Sequence, residues 1–368
     1  FCFNSKLKEQ TLLKLWLRRT HLLLALVSGL FLICLSLTGA LLIYAKDIQY
    51  LTQSDKWTVT PAASTLDFDS LIKHVSASTK QPVTLLMPEQ RSDLAWQLQL
   101  ANNRYVSVNP YNGQVLHEYD YYSTIYGFTM ALHRWLLYED GDKNRPLRNW
   151  VSVCALILII EILLGFYIWV KPKNRIKRLV IKRKAKFRVL MYQLHTVLGV
   201  YFLIPLILIA YTGMAFHWKE QTKAVLEFVM QGTVEERPKP PAVIPPLADT
   251  PLQVQKAFDN AQTVFPEGKL FRIYLPKKPT DNIGFRIENP GESHAYSWVW
   301  ANPYSADIVA SYDASQSSWT TQTWNFKYKF HIGDFAGPIV QLLWLLFALS
   351  PLFFTISGVY FWYKRHYK

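Results

Sequence analysis

Four histidines hold comparable places in this sequence, and imidazole is the side chain most often used to hold a transition metal near neutral pH. His21 and His195 each open an uncharged apolar run. Each is followed 17 and 18 residues later by a Thr-Gly pair, Thr38-Gly39 and Thr212-Gly213. His133 and His331 precede two further apolar runs, which end alike in Gly165-Phe-Tyr-Ile-Trp169 and Gly358-Val-Tyr-Phe-Trp362. As a helix, the 18 steps from His to Gly cover about 27 Å, close to the roughly 30 Å of bilayer hydrocarbon. Each histidine is therefore expected at a membrane face.

The elements that must position them are four membrane spans, at residues 21–45, 150–170, 191–217 and 336–363. Spans 1 and 3 start at their histidines on one face, while His133 and His331 precede spans that start from the other, which gives one pair per face. Two histidines on facing helices can hold a haem with both axial positions filled, and no axial site then stays open for oxygen chemistry. His21 and His195 are the candidate ligands of an inner haem, and His133 and His331 of an outer one. A lone interfacial histidine is ordinarily a polar anchor; four of them, two to a face, argue for ligands. His217, at the outer end of span 3, is the alternative outer ligand, and His74, His117, His294 and His366 read as surface residues. Arg18, Arg19 and Arg188 inside, and Arg134, Lys327 and Lys329 outside, are candidate partners for haem propionates. Gly29 and Gly199 would let a flat macrocycle approach a helix, although helix-to-helix contact is the commoner role of small residues in a membrane.

The composition agrees with a polytopic membrane protein: 368 residues, 50% hydrophobic and 15% aromatic. The first apolar run is longer than that of a signal peptide and has no clear cleavage site after it, so it reads as a retained span. A net charge of +14 could suggest nucleic acid, but its distribution argues otherwise. Residues 1–20 carry five Lys/Arg, residues 171–188 carry ten and the tail after Tyr363 three, while the loops 46–149 and 218–335 hold 22 basic against 24 acidic residues. This is the positive-inside pattern, which places both termini in the cytoplasm and both long loops outside, in the periplasm of a bacterium. The basic loop is then a topology signal touching anionic lipid. Cys34 and Cys154 lie in spans and Cys2 in the cytoplasmic tail, so neither a disulfide framework nor a zinc site is implied.

Residues 1–20 read as an amphipathic lead-in lying on the membrane, with Leu7, Leu12, Leu13, Trp16 and Leu17 set among basic residues. In the first outer loop, residues 66–80 have helical spacing, and WQLQL, RYVSV and the segment after an Asn-Gly turn read as strands. The second outer loop repeats this plan behind the proline-rich residues 237–246, with a helix-like stretch from Pro251 and strands in LFRIYLP, IGFRIEN and YSWVWANPYSADIVASY. Asn109-Pro110-Tyr111 and Asn302-Pro303-Tyr304 are 193 residues apart, as are Gly165 and Gly358. The expected fold class is thus a mainly α membrane protein of four transmembrane helices with two periplasmic α+β modules, internally duplicated. The expected order is lead-in 1–20, span 21–45, module 46–149, span 150–170, basic loop 171–190, span 191–217, module 218–335, span 336–363 and tail 364–368. His133 and His331 are 198 apart, so they align only if an insertion before His331 is offset near the polar EDGDK after His133. Pro205 and Pro351 are expected to kink spans 3 and 4.

Glu161 is the only charged residue within the four spans, about 13 Å along the helix from Val170. A carboxylate there is a candidate proton or quinol site, set against a structural glutamic acid hydrogen-bonded to a neighbouring helix. Other catalytic signatures are missing: the sequence has no GxGxxG fingerprint and no persuasive Ser-His-Asp, HExxH or CxxC constellation. The electron donor would be a partner or a diffusible molecule.

RRTHLLLALVSGLFLICLSLTG, LHRWLL, YQLHTVLGV, FHIGDFAG and the Gly-x-Tyr-x-Trp ends together resemble the PepSY-associated transmembrane family, over about residues 15–365. Its members include inner-membrane ferric-siderophore reductases of the FoxB type. The resemblance implies two b-type haems, PepSY modules near residues 66–120 and 247–313, and an oxidoreductase of the bacterial inner membrane. It also gives His21, His133, His195 and His331 the role of ligands. The implied activity is reduction of iron(III) in a siderophore to release iron(II), with a cytoplasmic reductant or quinol as donor and no nucleic acid as partner. Two alternatives stay open: a PepSY-module anchor that binds or inhibits a periplasmic peptidase, and a haem subunit serving another periplasmic oxidoreductase. Tyr119, Tyr121, Tyr122, Tyr126, Trp319 and Trp324 are candidates for a docking surface, set against interfacial anchoring.

Overall fold

In the computed structural model the backbone is described for residues 2–246 and 250–367, and side chains from residue 12 onward within those ranges. The side chains of Cys2 and Leu7, singled out above, lie outside the described residues. The chain divides into two compact units, one of residues 1–44, 129–225 and 327–368, the other of residues 45–128 and 226–326.

The first unit is helical. α1 (Cys2–Thr52) runs unbroken through the lead-in and the first span, and a four-residue helix α2 (Ser54–Trp57) follows it in the second unit. After α3 (Phe68–Thr79) and four strands, the chain returns through α4 (Ile125–Trp135), α5 (Leu147–Val170), α6 (Phe187–Tyr201), α7 (Leu203–Met214) and α8 (Lys219–Met230). It ends, after α9 (Val254–Val264) and four more strands, in α10 (Trp319–Ile332) and α11 (Pro338–His366). α1, α5 and α11 are each long and apolar enough to cross a membrane, and α6 with α7 forms a fourth candidate bent by 64°. The chain is therefore a multi-pass membrane protein.

The two prolines act differently. Pro205 lies in the first turn of α7, where it supplies no N–H for the carbonyl of Tyr201, and the span breaks at Phe202 into two helices rather than bending as one. Pro351 lies inside α11, which stays continuous because hydroxyl groups repair the ladder. Ser350 Oγ donates to the carbonyl of Phe347, freed by the missing proline N–H, at 2.8 Å. One residue on, Ser36 Oγ of α1 donates to Ala348 O and accepts from Leu352 N at 3.4 Å. In hydrocarbon no water can make such repairs, so Ser36 fixes α1 against the weak point of α11. Gly29 supports the same contact: a Cβ there would lie 2.9 Å from Thr355 Cγ2.

The second unit is built on one antiparallel sheet of β1 (Val83–Met87), β2 (Trp96–Leu100), β3 (Tyr105–Val108), β4 (Val115–Tyr119), β5 (Lys269–Tyr274), β6 (Ile283–Glu288), β7 (Ser297–Ala301) and β8 (Ile308–Tyr312). Their order in the sheet is β4-β3-β2-β1-β5-β6-β7-β8. Two four-stranded halves meet where β1 pairs with β5, Leu85 opposite Tyr274 and Leu86 opposite Ile273. The two expected modules thus share one sheet and one core. Leu86, Leu98, Val106, Ile273, Phe285 and Val299 point to the face covered by α3 and α9 (Val254–Val264), each fully buried. Each such side chain contributes about 1.5–3 kcal/mol.

The two covering helices cap each other. Asp69 of α3 accepts from Val254 N and Gln255 N at 2.9 and 3.0 Å, and Gln255 Oε1 accepts from Phe68 N at 3.0 Å. Gln253, at the start of α9, makes no side-chain cap of its own, so Asp69 does that work from the other half. Asp69→Ala should destabilise this unit by about 1–3 kcal/mol, since it leaves two N–H groups without their charged acceptor. Chemical denaturation followed by circular dichroism checks this; an unchanged midpoint would show that the cap contributes nothing.

Candidate functional site

The Thr-Gly pairs do not seat the histidines that precede them in sequence; they seat the other two. Thr38 Oγ1 lies 2.9 Å from His133 Nδ1, and Thr212 Oγ1 lies 3.1 Å from His331 Nδ1. The adjacent glycines give the rings room: a Cβ at Gly39 would lie 3.1 Å from His133 Cε1, and one at Gly213 3.1 Å from His331 Cε1. Thr38 sits inside α1 and Thr212 in the last turn of α7, and in a helix a threonine hydroxyl bonds back to its own backbone. Thr38 donates to Cys34 O at 2.7 Å and Thr212 to Leu208 O at 2.8 Å.

Those back-bonds fix the tautomers. A hydroxyl has one hydrogen, and it is spent on the helix, so each threonine oxygen accepts from Nδ1–H of the facing imidazole. For His331 the conclusion has independent support, because Nδ1 also lies 3.1 Å from the carbonyl oxygen of Ile209, which can only accept. Nε2 of both rings is then unprotonated and carries the lone pair that a metal requires.

The rings of His133 and His331 face each other, with centroids 6.2 Å apart and planes inclined at 54°. Two imidazoles bound to one metal at about 2 Å from each nitrogen have ring centres roughly 6 Å apart. The offset between the two histidines arises largely within their helices, His331 lying about one turn further from the start of α10 (Trp319–Ile332) than His133 from that of α4 (Ile125–Trp135), and it is made up after them. α10 turns out through Gly333 (φ 74°), whereas α4 turns out through Leu136 and Leu137, both left-handed at 55° and 61°. Side-chain-bearing residues adopt that region at a cost of about 1–2 kcal/mol each, so the position of His133 is held against local strain.

His21 lies within α1 (Cys2–Thr52) before Thr38, and His195 lies within α6, the first part of the bent span. His195 Nδ1 is 2.7 Å from Ser357 Oγ, and that hydroxyl donates to Phe353 O at 2.8 Å, so the nitrogen donates and Nε2 is again free. Phe354 and Phe361 pack edge-on against the ring at 5.1 and 5.9 Å. His21 leans on α5, its Cε1 3.6 Å from where a Cβ on Gly165 would be, and its Nδ1 makes no hydrogen bond. His21 is the electrostatic neighbour of His195. The structure thus brings the rings of His133 and His331 together, while the link between His21 and His195 is an electrostatic one.

The family described as PepSY-associated TM region matches residues 18–365, which includes all four histidines and both Thr-Gly pairs. The chain belongs to the PepSY-associated transmembrane family. No curated protein matches it.

In this PepSY-associated chain the remaining candidates lie as follows. His217 is exposed, and its neighbour Phe216 packs on His331 instead, with centroids 5.4 Å apart. Arg18, Arg19 and Arg188 are exposed, and Arg134 is half-buried near His133 in sequence. Lys329 is committed to Asp334 at 2.5 Å. Glu161 is buried in α5 with Oε1 lacking a hydrogen-bond partner. Gly199 has only Phe354 near it, at 4.0 Å. Among the described residues no group of three or more His, Cys, Asp or Glu side chains could hold a bare metal ion. Sequence reasoning missed Ser357, whose only signal was its place beside Gly358.

Thr38→Val keeps the side-chain shape and removes the hydroxyl acceptor of His133 Nδ1–H, leaving the backbone carbonyl of Leu35 as its partner. Thermal denaturation of the purified protein should show a loss of about 0.5–1.5 kcal/mol, with Thr212→Val giving a similar loss because Ile209 O remains in the same way. Equal stability of Thr38→Val and wild type would mean that the hydroxyl does not hold the ring.

Proposed function

We propose that this protein is a di-haem electron carrier of the bacterial inner membrane that reduces an iron(III) chelate, a ferric siderophore, on the periplasmic side. The observation that carries this reading is the facing pair His133 and His331, 6.2 Å apart with both Nδ1 atoms engaged. A b-type haem, if held between two such imidazoles, would supply one-electron transfer. His133 and His331 would hold the outer group, and His21 and His195 the inner one. The basic residues of 1–20 and 171–188 support cytoplasmic termini and periplasmic placement of the sheet. The equivalent use of Thr38-Gly39 and Thr212-Gly213, with the mutual capping of α3 and α9, supports descent from a duplicated half.

The chain's own residues orient the imidazoles, keep Nε2 unprotonated and pack aromatic rings around His195 and His331. A cytoplasmic reductant or a quinol provides the electrons, and Glu161, buried in α5 with an unpartnered oxygen, is the candidate to receive the proton of a quinol. One electron passed to the chelate turns iron(III) into iron(II), which such chelates hold weakly.

A pyridine haemochrome assay on purified wild-type protein should find two b haems per chain. His331→Ala should lose the outer haem and retain the inner one. Wild-type protein without haem, from cells well supplied with it, would refute the proposal. A His331→Ala variant with full occupancy would remove that residue as a ligand.

A further inference from the structure

Arg272 and Arg286 stand directly opposite each other on β5 and β6. They lie on the sheet face away from α3 and α9, since Ile273, Phe285 and Val299, next to them or their partners in register, belong to the core. Like charges paired across strands are destabilising. Among the described residues neither guanidinium forms an ion pair; Glu288, two residues from Arg286, is turned to His294 at 3.9 Å. Arg286 Nε donates to Ala295 O, while Arg272 Nε is buried without a partner. Both guanidinium carbons converge on one ring, that of Phe271, at 4.9 and 5.2 Å. Burial lowers the proton affinity of Arg286, and the charge of Arg272 acts in the same direction.

An aromatic bed adjoins this pair. Trp298 is the cross-strand neighbour of Arg286, and its ring stacks on Tyr274 at 5.2 Å and on Trp300 at 5.6 Å. Gly284 makes room for it, because a Cβ there would come within 3.3 Å of the indole. Arg237, from the proline-rich link, lies over Trp298 at 4.2 Å and adds a third positive charge to the same face.

We propose that this arginine–aromatic face binds the anionic substrate, an iron(III) chelate with outward-facing carboxylate oxygens, through bridging contacts to Arg272 and Arg286. The proposal rests on the reading of the chain as a ferric-chelate reductase, and it adds the charge and surface chemistry of the substrate. Carboxylate oxygens between the two guanidinium groups would offset their repulsion. The stacked rings would receive the apolar part of the chelate.

The test uses gallium(III) citrate, which has the charge and shape of an iron(III) citrate chelate and cannot be reduced, titrated calorimetrically into full-length protein in detergent. Wild type should bind it, more weakly as salt is raised, and Arg272→Gln should weaken binding about tenfold or more. Arg272→Gln should also leave the melting temperature unchanged or raise it, since it removes an unpaired like charge; a fall would mark Arg272 as structural and overturn the proposal. Binding unchanged in Arg272→Gln, or citrate alone binding as tightly as its gallium complex, would likewise overturn it. If wild type contains haem and reduces an uncharged hydroxamate iron(III) chelate but does not bind gallium(III) citrate, this inference falls and the reductase reading stands.

Discussion

The hydrogen bond that ties one imidazole nitrogen to the helices leaves the other nitrogen free, and the candidate site depends on that division of labour. At His133, His195 and His331 the Nδ1 hydrogen goes to a hydroxyl whose own hydrogen is already given to a backbone carbonyl. Each bond fixes ring orientation and tautomer together. Without it an imidazole in an apolar bundle would rotate or would present the wrong nitrogen. Gly39 and Gly213 make the arrangement sterically possible, and the left-handed turn at Leu136 and Leu137 shows that local strain is accepted to keep it.

The same economy recurs where the bundle is weakest. Pro351 opens the hydrogen-bond ladder of α11, and the groups exposed are met by Ser350 and by Ser36 of another helix. A residue that would otherwise loosen the span becomes the place where α1 and α11 are fastened. In the second unit Asp69 and Gln255 exchange caps between the two halves, so neither helix is complete without the other.

Much of this was legible in the sequence. The four histidines, the Thr-Gly pairs and the positive-inside charge follow directly from residue types and spacing. The helix at Phe68–Thr79 and the strands at Trp96–Leu100 and Tyr105–Val108 follow from their periodicity. Local pattern could not show which histidine each Thr-Gly pair would meet, because that contact joins α1 to α4 and α7 to α10. It also missed β1, since VTLLM does not alternate, and β1 is the strand that joins the two halves through β5. The pairing of Arg272 with Arg286 needed the register, and the break at Phe202 needed the geometry around Pro205.

The most direct test of the account isolates the outer pair. In His21→Ala/His195→Ala protein, only His133 and His331 remain to hold iron, and low-temperature electron paramagnetic resonance of the oxidised form reads its axial ligands. A single low-spin ferric species of the bis-imidazole kind is expected. A high-spin signal, or no haem signal at all, would mean that these two rings do not share a metal, and the proposed electron path would lose its outer end.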